Sequence, residues 1–122
     1  MDFANMDITG RIAGQATITE RDNLLIASFR LDYYQKNTGN VQLQIVVNSQ
    51  ALIEKVVKQY ISVKQNTGKR IAVIGQPFLG TADDGKSVLL SVIAYRFCFI
   101  DKLLSEMEAF EQARYAVDLS ND

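Results

Sequence analysis

The spacing of apolar residues changes along this chain, and those changes limit the folds open to it. In residues 6–47 apolar and polar residues roughly alternate, as in half-buried β-strands. In residues 48–65 the apolar positions recur three and four residues apart, as on one face of a helix. Alternation returns in residues 70–100, and residues 101–117 again have helical spacing. The sequence therefore predicts an all-β-dominated domain with one internal and one C-terminal helix.

Turn residues divide the alternating regions into five predicted strands. Gly10 and Gly14 interrupt the first strand and predict a bend or bulge of the kind that a small closed barrel needs. The second and third strands form a hairpin with one apolar and one polar face. Three strands, one helix and two strands is the order of the five-stranded OB-fold barrel, with the helix between strands three and four. The predicted strands are residues 6–19, 24–34, 41–47, 70–79 and 87–100.

The composition argues against catalysis. The 122 residues include no histidine and a single cysteine, so Cys/His zinc sites, Ser-His-Asp triads and Cys-His dyads are impossible. Asp83 and Asp84 are the only adjacent carboxylates, and their Ala-Asp-Asp-Gly-Lys context predicts a solvated turn rather than a metal site. We expect no enzyme activity, no catalytic residues, no cofactor and no metal site.

The charge is unevenly distributed. Residues 1–100 carry a net charge of +3 and residues 101–122 a net charge of −4, although the whole chain is near neutral at −1. A local positive surface can attract phosphate even when the total charge is close to zero. We expect residues 1–101 to form an OB-fold domain that binds single-stranded nucleic acid. Residues 102–122 are predicted to form the C-terminal helix and a short acidic end.

The C-terminal helix carries an apolar stripe that must be covered by something. Asp101 is predicted to cap this helix, and its glutamates are predicted to face water. The stripe could pack on its own barrel or between subunits, and the sequence leaves both arrangements open. Its members are Leu103, Met107, Phe110 and Val117.

Several short motifs resemble, in their order and spacing, those of the bacterial and phage single-stranded-DNA-binding proteins. The resemblance covers residues 6–100 and implies an OB fold that binds single-stranded DNA. It also implies a sequence-tolerant role in DNA replication or recombination and assembly as a dimer or tetramer. We expect a cytoplasmic location in a bacterial cell, for a protein of bacterial or phage origin. The motifs are residues 10–12 (Gly-Arg-Ile), 27–31 (Ala-Ser-Phe-Arg-Leu), 45–48 (Ile-Val-Val-Asn), Tyr60, 68–69 (Gly-Lys) and 71–76 (Ile-Ala-Val-Ile-Gly-Gln).

The chain departs from that family at the positions where the family stacks DNA bases. It has no tryptophan, and Gln42, Val46 and Asn48 match the third-strand stacking positions. Tyr34 and Phe78 lie near the stacking positions of the second and fourth strands. Each lost aromatic stack removes about 1–3 kcal/mol. We therefore expect weaker binding that depends more on charge and is more sensitive to salt.

A protein that binds single strands needs cations along one face of its strands and flat side chains beside them. Arg30 could pair a phosphate or stack on a base, and it could equally pair with Asp32 or another strand residue. Tyr34 could stack a base or be an ordinary strand-end tyrosine. The candidate nucleic-acid-binding residues are Arg11, Arg30, Tyr34, Lys36, Gln42, Gln44, Lys69, Arg70, Phe78 and Lys86.

Two other functions are compatible with the same fold. The missing tryptophans favour an OB-fold protein-interaction subunit of a replisome or phage assembly, with weak or no DNA binding. The second alternative function is that of an OB domain that binds RNA. An electropositive groove across the second and third strands would separate DNA binding from the interaction subunit. Replication or recombination proteins are expected partners.

Overall fold

The computed structural model describes residues 5–35, 39–81 and 84–120. None of the helices in these ranges is long and apolar enough to cross a membrane. The helix between the fourth and fifth strands, α1, begins at Gln50–Leu52 and continues with π-type hydrogen bonds over Ile53–Ile61. The C-terminal helix, α2, spans Glu106–Ser120. The strands are β1 (Met6–Ile12), β2 (Thr17–Arg21), β3 (Leu24–Gln35), β4 (Gly39–Val47), β5 (Arg70–Thr81) and β6 (Val88–Phe99).

The six described strands form one sheet that closes on itself. Their order is β1-β5-β6-β4-β3-β2, and β1 also pairs with β3, which joins the two sides of the sheet into a barrel. The β4–β6 pairing is parallel and the others are antiparallel. The first predicted strand is divided in two around Gly14, so the five predicted strands become six. The internal helix lies in the chain where the spacing of apolar residues predicts it.

Local interactions fix the ends of β3 and α1. Asp22 and Asn23 adopt φ angles of 53° and 66° in the two-residue turn between β2 and β3, as a type I′ turn requires. The side chain of Ser49 accepts a hydrogen bond from the Leu52 amide at 3.4 Å and caps α1. Gln50 donates to the Leu25 carbonyl at 2.8 Å and accepts from its amide at 2.9 Å. This amide side chain therefore continues the sheet beyond the last β3–β4 pair.

The core lies between α1 and the inner faces of the barrel strands. On α1 the buried positions recur every four residues, which matches the apolar spacing of the sequence. The buried side chains of β3 and β4 alternate with outward ones, most of which are polar, as predicted for the hairpin. The fully buried apolar side chains include Leu31, Leu43, Ile45, Val47, Ile53, Val57, Ile61, Ile71 and Val73.

The prediction that Asp101 caps the C-terminal helix is wrong. Ser105 caps α2 instead: its hydroxyl accepts from the Glu108 amide at 3.2 Å, and the Glu108 carboxylate accepts from the Ser105 amide at 3.3 Å. This reciprocal arrangement is a capping box. Asp101 is held by Arg70, four residues before the cap, and so cannot serve the helix.

Only part of the predicted stripe packs against the barrel. Leu103, which precedes α2, is 6% exposed, and Ala109 is the buried contact of the helix itself. Met107 and Phe110 are 72% and 68% exposed. The helix thus turns a small residue toward α1 and leaves its two large apolar side chains outside.

Gly75 provides a test of the barrel's packing. It lies at the register shift between β5 and β6, where a Cβ atom would collide with the Ile93 carbonyl oxygen and lie 2.8 Å from the Ile93 carbonyl carbon. Because both neighbours are backbone atoms, we expect Gly75→Ala to lower the free energy of unfolding by about 3 kcal/mol. Urea denaturation measures this change.

Gly14 is the matched control, because a Cβ atom there has no neighbour within 4 Å. Gly14→Ala should change the free energy of unfolding by no more than about 0.5 kcal/mol. Equal effects of the two substitutions would contradict the described β5–β6 register.

Candidate nucleic-acid interface

Four strands contribute one residue each to a row that crosses the outside of the barrel. Phe78 on β5 pairs with Ser91 on β6, Ser91 with Gln44 on β4, and Gln44 with Arg30 on β3. We call these four residues the cross-strand row. At a strand spacing of about 4.8 Å the row is about 14 Å long. The register thus joins three of the predicted binding residues, and it adds Ser91.

Two glutamines hold this surface together through their carbonyl oxygens. The Gln44 oxygen accepts from the buried Ser91 hydroxyl at 3.0 Å, and the Gln42 oxygen accepts from the Arg30 guanidinium at 3.1 Å. Because these contacts use the oxygens, the amide NH₂ group of each glutamine can donate to a ligand. Together with Arg30, these amides form a donor-rich surface suited to phosphate oxygens or base acceptors.

Arg30 pairs with Gln42 on the neighbouring strand, which is one of the two arrangements that the sequence allows. This contact orients the guanidinium across the strands and leaves the side chain exposed. A groove lined by Gly14, Ser28 and Gln44 runs beside it. Arg30 is thereby placed where a backbone phosphate in the groove could reach it.

A second groove lies where the barrel closes. Arg11 on β1 and Tyr34 on β3 line it together with Asp32 and Arg70, and we call it the seam groove. Tyr34 is 71% exposed. Arg11 donates to the Gly68 carbonyl at 2.8 Å, which holds its guanidinium at the groove wall. An exposed aromatic ring beside an oriented arginine can stack a base and pair its phosphate.

Lys69 and Arg70 are engaged by the segment that leads to α2. The Lys69 ammonium donates to the Lys102 carbonyl at 2.9 Å. Arg70 binds Asp101 through its guanidinium and its backbone amide, with the shortest guanidinium contact at 2.9 Å. These hydrogen bonds lower the pKa of Asp101 to about 2 and raise the pKa of Arg70. The charge of Arg70 is therefore largely compensated within the protein.

The remaining candidates lie toward the β5–β6 hairpin or outside the described residues. Lys86 is exposed in a turn that Asp84 organises by accepting from the Lys86 and Ser87 amides at 2.8 and 2.7 Å. Hydrogen bonds from Ser87 and Lys86 lower the pKa of Asp84 to about 2. Lys36 lies outside the described residues, as does Asp83. Among the described residues, no three His, Cys, Asp or Glu side chains come together as metal ligands.

Ser91 is the site residue that sequence reasoning misses. It is fully buried, and its hydroxyl positions the Gln44 amide. Its neighbours in the chain are apolar, so the strand alternation gives it no distinguishing pattern. Only the parallel pairing of β4 with β6 brings it beside Gln44.

No family model and no curated protein matches the sequence. The structure is similar to solved structures. One is the mitochondrial single-stranded DNA binding protein Rim1 of S. cerevisiae, at 20% identity and a TM-score of 0.62, covering 84% of this chain and 99% of that one. Another is the SSB of Plasmodium falciparum in complex with ssDNA, at 18% identity and a TM-score of 0.63, covering 83% and 97%.

A third similar structure is the dimeric N-terminal domain of PriB from Thermoanaerobacter tencongensis. It shares 13% identity at a TM-score of 0.55, covering 80% of this chain and 97% of that one. The chain has the OB fold of single-stranded-DNA-binding proteins. The predicted OB barrel, with its helix between the third and fourth predicted strands, is confirmed.

The contact between Arg70 and Asp101 should make the stability of the OB barrel depend on pH in the acid range. The pKa of Asp101 is about 2 in the folded protein and 3.8 ordinarily, so its carboxylate stabilises the fold above about pH 4. That contribution should disappear as the pH falls to about 2. Asp101→Asn should therefore lower the urea midpoint near neutral pH, and the difference from wild type should shrink on acidification.

The Arg70→Gln background is the control for this measurement. Without the guanidinium, Asp101→Asn should give a much smaller difference at every pH. A difference that persists unchanged from neutral pH to about pH 2 would contradict the ion pair as its source.

Proposed function

We propose that this protein binds single-stranded DNA with little sequence preference, catalyses no reaction, and acts in DNA replication or recombination as a homo-oligomer. The observation that carries the proposal is the cross-strand row, which sets an arginine and an oriented glutamine amide in line with an aromatic side chain on the outside of an OB barrel. The cations and hydrogen-bond donors would bind the phosphates of a single strand, and the flat side chains would stack on its bases.

The two ends of the surface support a binding track rather than an isolated contact. Phe78 lies at one end of the cross-strand row, and the exposed ring of Tyr34 lies in the seam groove on the other side of Arg30. Arg30 and Gln42 lie between these aromatics. A strand that follows this path would stack bases near its ends and rest its phosphates on the donors between them.

Similar structures support the nature of the ligand. The Plasmodium falciparum protein was solved in complex with ssDNA, and the PriB domain is described as dimeric. We extend these properties to this chain. We propose that it is a protein of bacterial or phage origin that acts in the cytoplasm of a bacterial cell, with replication or recombination proteins as partners.

Fluorescence anisotropy with a labelled oligothymidine of about thirty nucleotides tests the proposed function. Binding should be tight at low salt, should weaken steeply as salt rises, and should exceed binding to duplex DNA and to RNA of equal length. If the protein binds RNA more tightly than DNA, the surface would be an RNA-binding site. Absence of binding at low salt would overturn the proposal and favour a protein-interaction subunit.

Arg30→Ala combined with Tyr34→Ala tests the location of the surface. We expect the affinity to fall at least about tenfold at low salt, because a single aromatic stack contributes about 1–3 kcal/mol. The dependence of binding on salt should also become weaker, by about one unit of slope, because one phosphate contact is lost. Both side chains are exposed, so the barrel should remain folded.

Arg96→Ala combined with Tyr115→Ala is the matched control. It also removes one exposed arginine and one exposed tyrosine, but from β6 and α2, away from the cross-strand row. Affinity and salt dependence should stay at the wild-type values. An equal loss in both double variants would show that the chosen surface has no special role.

A further inference from the structure

The outer surface of α2 carries apolar residues that the described part of the barrel leaves uncovered. Ala109 is buried on the side that faces α1, whereas Met107 and Phe110 are 72% and 68% exposed. Large exposed apolar side chains grouped on one helix face mark an interaction surface. The helix is 15 residues long and capped at its start, so this surface is held on a regular element.

The spacing of that surface is the spacing of a helix–helix seam. Met107, Phe110 and Arg114 are separated by three and four residues, as are successive a and d positions of a heptad. Glu111 follows Phe110 at the edge of the seam and is exposed, as is Arg114. The seam therefore combines two apolar side chains with one cation, and an anion flanks it.

The charges decide the direction in which two such helices could pair. In a parallel pair each Arg114 would lie opposite its own copy, which is unfavourable. In an antiparallel pair centred between Phe110 and Glu111, Arg114 of one helix lies beside Met107 of the second copy and near its Phe110 and Glu111. There the guanidinium can pair with the carboxylate and contact the aromatic ring. The same surface on both helices is then self-complementary, as a two-fold interface requires.

We propose that the surface formed by Met107, Phe110, Glu111 and Arg114 binds the same surface of a second copy of this chain in an antiparallel helix pair. This inference rests on the homo-oligomer in the proposed function and assigns one of its contacts. The interface is small, because a 15-residue helix is about 22 Å long and 10–12 Å across. The association should therefore depend on concentration, unlike that of a large obligate interface.

The test is the association of full-length variants, measured by sedimentation velocity over a range of protein concentrations. Phe110→Asp places a charge at the centre of the seam and should weaken association at least about tenfold. Val88→Asp is the matched control. Val88 is 66% exposed at the start of β6 and is not part of α2, so association should be unchanged.

A charge exchange tests the antiparallel direction. Arg114→Glu should weaken association, because it places two carboxylates together. Adding Glu111→Arg in the same chain should restore it, because the exchanged pair is again complementary. Circular dichroism on each variant would confirm that α2 remains helical.

The outcomes separate this inference from the proposed function. A wild-type chain that is monomeric at every concentration, or a Phe110→Asp variant that associates like wild type, would overturn the helix pair. If that variant also binds oligothymidine normally, the proposed function stands without the helix pair. Association that is lost in Phe110→Asp and retained in Val88→Asp would support the helix pair even if no nucleic acid binds.

Discussion

The closure of the barrel between β1 and β3 is the contact on which the candidate binding surface depends. In the described residues only two pairs join these strands, Arg11 with Asp32 and Ile12 with Leu31. Gly10 permits the close approach, because a Cβ atom there would lie 2.5 Å from the Asp32 carbonyl oxygen and 2.7 Å from the Leu31 Cγ atom. A longer pairing would fill the space between the strands. The short one closes the barrel and still leaves the seam groove open beside it.

The chemistry of the outer surface follows from the absence of tryptophan and from the parallel β4–β6 pairing. Gln42 and Gln44 present amides rather than aromatic rings on this surface, and each directs its carbonyl oxygen to a donor within the protein. A pre-oriented amide loses little conformational entropy when it binds, which offsets part of the missing stacking energy. The result is a surface whose donors suit phosphate and base acceptors, with aromatic planes only at Phe78 and Tyr34 among the candidate residues that the structure describes.

The alternation of side chains predicts the strands well, because it reports directly which face of a strand is buried. The pattern of apolar and polar residues is therefore enough to place Arg30 and Gln44 on the outward face. The alternation does not predict the register between strands, because pairing between strands that are distant in the sequence is set by the closure of the whole barrel. That is why the sequence alone does not bring Phe78 and Ser91 into line with Gln44. Asp101 shows the same limit of sequence-based prediction. Its carboxylate binds Arg70, which is distant in the sequence, instead of capping the nearby helix.

Polar contacts, together with the buried side chain of Leu103, determine where the C-terminal segment lies. Asn66 is fully buried and binds both the amide and the carbonyl of Leu104, at 2.9 and 2.8 Å. Together with the contacts of Lys69 and Arg70, these bonds fix the chain just before α2 begins. The direction of α2 is therefore set at its start, and its large apolar side chains are not needed to hold it on the barrel. A helix anchored in this way can keep an apolar surface exposed without loss of the fold, which makes that surface available to a second molecule.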